Sequence, residues 1–81
     1  MHTTVTLTPT ATIMEFDVQV GTGVTLGDRI GQVRQTGPGA FEGITRRGFW
    51  EAYANLDDAV RGVLFPVVGE TDPIIVFGQR D

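Results

Sequence analysis

Among its 81 residues the chain has no lysine, no serine and no cysteine, and a single histidine, His2. Each absence removes a class of chemistry. Without cysteine there is no disulfide, no thiolate nucleophile and no Cys-based zinc site. Without serine, and with the one imidazole beside a chain end where positions are seldom fixed, a Ser–His or Cys–His catalytic site is excluded. Two glycine-rich stretches, GTGVTLG and GPGAFEG, lack the lysine of a phosphate-binding loop. Neither precedes a helix, so both read as hairpin turns. No apolar run approaches the ~18 residues of a membrane span. The start, MHTTVTLTPTATI, has neither the basic residues nor the continuous apolar stretch of a signal peptide. The expectation is a soluble, cytoplasmic protein, in the host cytoplasm if the chain is phage-encoded.

Metal-binding patterns are missing as well. Asp57 and Asp58 are explained by a helix start, and Glu70 with Asp72 supplies too few oxygens for a calcium loop. Glu15 and Asp17 share a strand face about 7 Å apart, a glycosidase-like spacing. With no cleft indicated, the pair reads as a solvated strand face. No catalytic residue, metal ligand or cofactor is expected, and the protein is read as non-enzymatic.

What is present specifies a fold class. Hydrophobic residues make up 41% of the chain, a globular composition, and the length allows one domain, residues 1–81. Residues 55–65, NLDDAVRGVLF, form the one helical segment. Leu56, Ala59, Val60, Val63 and Leu64 fall on one stripe of a 3.6-residue helix. Asn55 is a good N-cap, Asp57 and Asp58 suit the positive end of the helix dipole, and Pro66 is expected to stop the helix.

Almost everything else alternates or turns. Residues 3–8 alternate threonine with Val5 and Leu7. Residues 12–20 place Met14, Phe16, Val18 and Val20 on one face and Glu15, Asp17 and Gln19 on the other. Residues 29–36 form a strand in which a bulge near Gly31 brings Ile30 and Val33 to one face. Residues 40–45 return, with Gly43 marking a twist or close approach. Residues 49–54 make a third strand, and 74–77, IIVF, a buried terminal one. The architecture is α+β: a five- to six-stranded, mostly antiparallel sheet with one short helix packed on one face. Its parts are an N-terminal strand hairpin (1–28), a three-strand meander plus helix (29–65), and a loop with a terminal strand (66–81). The expected core is Val5, Leu7, Met14, Phe16, Val18, Val20, Ile30, Leu56, Ala59, Val60, Val63, Leu64, Ile75 and Phe77.

Net charge is −4, and all six bases are arginine. Five of them lie in residues 29–64, which carry a net +1, while both flanks are acidic. On the meander, Arg34, Arg46 and Arg47 are interleaved with Trp50 and Tyr53 (Arg29 lies nearby). Guanidinium groups beside aromatics serve protein hot spots, and equally phosphates and bases. GFWEAYANLDDAVRGVL, residues 48–64, ends three short strands in a capped helix. In this, residues 29–65 resemble the βββα units of AP2-type and integrase-arm DNA-binding domains, and the layout is similar to that of HicB-type antitoxin domains. All-arginine usage and small size also suit proteins of high-GC bacteria and their phages.

The reading is a macromolecular interaction module, a small regulatory or phage accessory protein that binds another protein through Arg34, Arg46, Arg47, Trp50 and Tyr53. The alternatives are a DNA-binding sheet face, which the net charge disfavours, and a virion or assembly component. Thr4, Val5, Thr6 and Leu7, uncharged and followed by Pro9, are expected at a sheet edge, where they would pair with a second copy in a homodimer. The facing of residues 12–20 predicts that Phe16→Ala costs about 3–5 kcal/mol in chemical denaturation, while Asp17→Ala costs little.

Overall fold

The computed structural model describes residues 3–48, 50–69 and 72–78. His2, Phe49, Glu70 and Arg80 lie outside them. The strands are β1 (Thr4–Pro9), β2 (Glu15–Val20), β3 (Arg29–Gly37), β4 (Ala40–Thr45), β5 (Trp50–Tyr53) and β6 (Ile74–Phe77), with one helix, α1 (Leu56–Val68), between the last two. They form a six-stranded sheet in the order β5-β4-β3-β2-β1-β6. Every neighbouring pair is antiparallel except β1 with β6. The α+β class, the mostly antiparallel sheet and the single helix all follow the sequence pattern.

Directly opposed residues share a face, so the register assigns both sides of the sheet. Val5, Leu7, Phe16, Val18, Val20, Gly31, Val33, Phe41, Gly43 and Tyr53 lie on the helix side. Threonines of β1, Glu15, Asp17, Gln32, Arg34, Glu42, Ile44 and Trp50 occupy the open side. Gln19 pairs with Arg29 and Val18 with Gly31, which leaves Ile30 as the bulged residue. The bulge turns Ile30 into the core with Val33, and Val33 joins the expected core set. The fully buried side chains are Val5, Leu7, Val18, Val33, Val60, Val63 and Leu64.

Asn55 caps α1 as expected, its Oδ1 accepting the Asp58 N–H at 2.8 Å. Pro66 does not end the helix. It sits inside the last turn, and α1 stops at Gly69, which takes a left-handed φ of 70° and donates its N–H to the Phe65 carbonyl at 2.8 Å. Only the one bond to the Gly62 carbonyl is forfeited by a proline this close to the C-terminus, and the glycine cap secures the turn beyond it.

Four further expectations are corrected. Met14 is exposed and has a φ of 57°, because residues 10–14 form the β1–β2 turn and β2 begins only at Glu15. GTGVTLG is not a tight hairpin turn but part of a longer connection containing a short 3₁₀ turn at Gly23–Thr25. β6 is not a buried strand: it lies at the sheet edge, Phe77 is 61% exposed, and α1 packs over β3, β4 and β5 at the other side. The same strand overturns the edge placement of Thr4, Val5, Thr6 and Leu7. These residues pair with β6 on one side and β2 on the other, and Val5 and Leu7 are fully buried.

Helix and sheet meet where side chains are missing. A Cβ on Gly31 would overlap the Ile44 carbonyl oxygen and the Val63 side chain. A Cβ on Gly43 would stand 3.0 Å from the Ala59 carbonyl oxygen and 3.1 Å from Val63. Close approach is therefore the role of Gly43. Gly31→Ala should destabilise the fold by ~3 kcal/mol, the upper end of the usual overpacking range. Phe16, only half-buried, should cost less on truncation than a fully buried position such as Leu64, for which Leu64→Ala should cost about 2–5 kcal/mol. Urea unfolding followed by far-UV circular dichroism checks the order.

Candidate functional site

The β4–β5 turn, β5 and the C-terminal half of α1 enclose an open groove of about 840 Å³. That size lies within the range of small-molecule and peptide side-chain pockets. Ile30, Gly43 and Val63 are buried and make its floor. Phe65 and Val67, 53% and 55% exposed, form its helix wall, and Trp50, 62% exposed, lies at the edge where β5 begins. Arg46 and Arg47 stand on the turn at its rim.

Local structure explains each placement. Gly62 and Gly43 carry no side chains into the space. The Tyr53 ring lies against Gly62, where a Cβ would overlap its hydroxyl. Phe65 falls off the apolar stripe of α1, so its ring points away from the core. The helical turn beyond Pro66 supplies Val67. Phe65, Pro66 and Val67 were not among the residues expected at a site. The signal that could have found them is Gly69, a C-cap residue placed one turn after the proline.

Of the five expected partner-binding residues, the structure brings four together: Arg46, Arg47, Trp50 and Tyr53 all line the groove. Arg34 lies apart, on the open side of the sheet, where its Nε donates to Glu42 Oε1 at 2.8 Å. Arg29 is likewise held 3.6 Å from Asp17. Asp17 also accepts from Gln32 Nε2 at 3.0 Å, and Glu15 accepts from the Thr10 hydroxyl at 2.8 Å. The Glu15–Asp17 pair is thus tied into a polar lattice across the open face. Arg46 and Arg47, by contrast, have no carboxylate within salt-bridge distance among the described residues. No group of three or more potential metal ligands occurs among the described residues.

The groove thus presents exposed aromatic and aliphatic surface next to two guanidinium groups without an ion-pair partner among the described residues, with the Glu51 carboxylate also in its lining. It can take up an apolar side chain and hold an anion beside it. No family model matches the chain, and neither a curated protein nor a solved structure is significantly similar to it.

Tyr53 offers a direct probe of this site. Its hydroxyl donates to Glu51 Oε2 at 3.2 Å. Burial raises its pKa above the ordinary value of 10.0, and the Glu51 charge and hydrogen bond and the Asp58 charge push the same way. The folded state therefore holds the phenolic proton more tightly than the unfolded chain. The resulting stability is complete below the ordinary pKa and is lost as pH rises through the raised one. Tyr53 is the only tyrosine, so phenolate absorbance reads it alone. The folded protein should titrate above the unfolded chain, and Glu51→Gln should bring the midpoint part of the way back.

Proposed function

We propose that this chain is a non-enzymatic protein-interaction module, a small regulatory or accessory protein. Its groove takes an aromatic or large aliphatic side chain from an acidic segment of a partner. The observation that carries this reading is the junction of Trp50, Phe65 and Val67, each more than half exposed, with Arg46 and Arg47, which have no carboxylate partner among the described residues. Tryptophan and arginine are the residue types that dominate interface hot spots. Water-exposed apolar surface of this kind gains free energy when a partner covers it. Carboxylates flanking the inserted side chain would meet the two guanidinium groups, adding orientation and a faster encounter.

The DNA-binding alternative draws on the same arginines and Trp50. Against it stand the net charge of −4 and the ion pairs that engage Arg29, Arg34 and Arg61. A duplex footprint rests on several phosphate contacts, each of which releases counterions.

Selection of a random displayed-peptide library on the immobilised full chain tests the proposal. The enriched peptides should carry an aromatic or large aliphatic residue flanked by Asp or Glu. They should shift the amide resonances of residues 45–53, 62–65 and 67. Trp50→Ala, and separately Arg46→Glu with Arg47→Glu, should weaken binding at least about tenfold with the fold intact, as loss of a hot-spot residue does. Enriched peptides that bind elsewhere on the molecule would defeat the groove reading. Tight duplex binding at low salt that falls steeply toward physiological salt would transfer the site to nucleic acid.

A further inference from the structure

The second surface lies at the far edge of the sheet. Among the described residues β6 is hydrogen-bonded along one side only: the Ile74 N–H donates to Thr3 O at 2.9 Å, and the Gly78 N–H to Leu7 O at 2.8 Å. In a parallel ladder alternate residues face the partner strand, so Ile74, Val76 and Gly78 turn their backbone groups toward β1. The N–H and C=O groups of Ile75 and Phe77 then point outward, and among the described residues no strand pairs with them. Of the devices that usually protect such an edge, β6 has its shortness and the flanking Pro73. Between Ile74 and Phe77 there is no charge, no proline and no bulge. The opposite edge strand, β5, carries Glu51 in its middle.

The side chains are apolar to the rim. Ile74 is 51% and Phe77 61% exposed, and α1 packs over β3, β4 and β5 rather than here. The Phe77 ring already meets Phe16 edge-on, with centroids 5.6 Å apart, so the core surface continues outward to this strand.

We propose that β6 is a self-association edge, at which two copies pair antiparallel around a two-fold axis at Val76. The outward groups select this register. Ile75 of one copy stands opposite Phe77 of the other, and the reverse, giving two closely spaced hydrogen-bonded pairs with Val76 opposite Val76 between them. Placing Ile75 opposite Ile75 instead would set Phe77 against Pro73, which has no N–H, and would leave the Phe77 carbonyl unpaired. The chosen register also puts Ile75 and Phe77 of the two copies side by side on one face, an aromatic–aliphatic cross-strand pair made twice. No like charges are opposed across the paired residues. Such an isologous contact closes after two copies and joins the two six-stranded sheets into one. It is small. A four-residue edge buries well under the roughly 800 Å² per partner of a standard interface, so the dimer dissociates at about hundreds of micromolar.

Sedimentation equilibrium on the full chain, from about ten micromolar to about one millimolar, reads this directly. The expected result is a monomer at the low end and a growing dimer fraction at the high end, with rising hydrogen-exchange protection at the Ile75 and Phe77 amides alone within β6. Phe77→Lys should weaken association at least about tenfold, since it sets a charge against an apolar partner. Ile75→Pro removes an outward donor while sparing the ladder to β1, and should do the same. Circular dichroism establishes which variants are folded. Trp50→Ala, at the other edge of the sheet, should leave association unchanged. A chain that stays monomeric at millimolar concentration, or a folded Phe77→Lys that associates as well as the parent, would overturn the proposal.

Discussion

The close seating of α1 on Gly31 and Gly43 is the constraint from which the rest of the structure follows. A helix can approach a sheet this nearly only where the strands carry no Cβ beneath it. Here the two glycines admit Val63, and Ala59 presents backbone to Gly43. The helix is thereby drawn toward β3, β4 and β5 and away from the centre of a six-stranded sheet. Its apolar stripe still closes a core in which Val5, Leu7, Val18 and Val33 are fully buried. Ile30 reaches that core only because the β3 bulge leaves it unpaired in the ladder.

That offset creates both surfaces to which function is assigned. At one end, α1 runs past Pro66 to Gly69 and stands over the β4–β5 turn, so Phe65 and Val67 line a groove, with Trp50 at its β5 edge, instead of entering the core. At the far edge, β6 receives no cover from the helix and keeps Ile74 and Phe77 in water. Apolar groups left exposed by the packing of the monomer are the ones that association can bury.

Charge is divided along the same lines. On the open face each described arginine has an acidic neighbour, Arg29 with Asp17 and Arg34 with Glu42, so both guanidinium charges are matched there. At the groove Arg46 and Arg47 sit on a tight turn and have no carboxylate within salt-bridge distance among the described residues. A chain that is acidic as a whole therefore sets two arginines against one lining carboxylate, Glu51, at this groove.

What the sequence determined by itself was local. The 3.6-residue stripe of α1, its Asn55 cap, the alternation of β2 and the need for a bulge near Gly31 are each written within a few residues, because each depends on period or on a single backbone requirement. Four of the groove residues were legible for a similar reason: Arg46, Arg47, Trp50 and Tyr53 follow one another along a single hairpin strand and its turn. Tertiary structure alone decided which strands lie next to each other. Thr4, Val5, Thr6 and Leu7 have the composition of an edge, and IIVF that of an interior strand. Yet IIVF closes the edge beside them, because the crossover through α1 delivers β6 to the far side of the sheet. It likewise decided that Arg34 stays outside the groove that the other four line, that Met14 belongs to a turn, and that Phe65 and Val67 become a wall of the groove. None of these carries a local signature, since each is set by contacts between residues far apart in the chain.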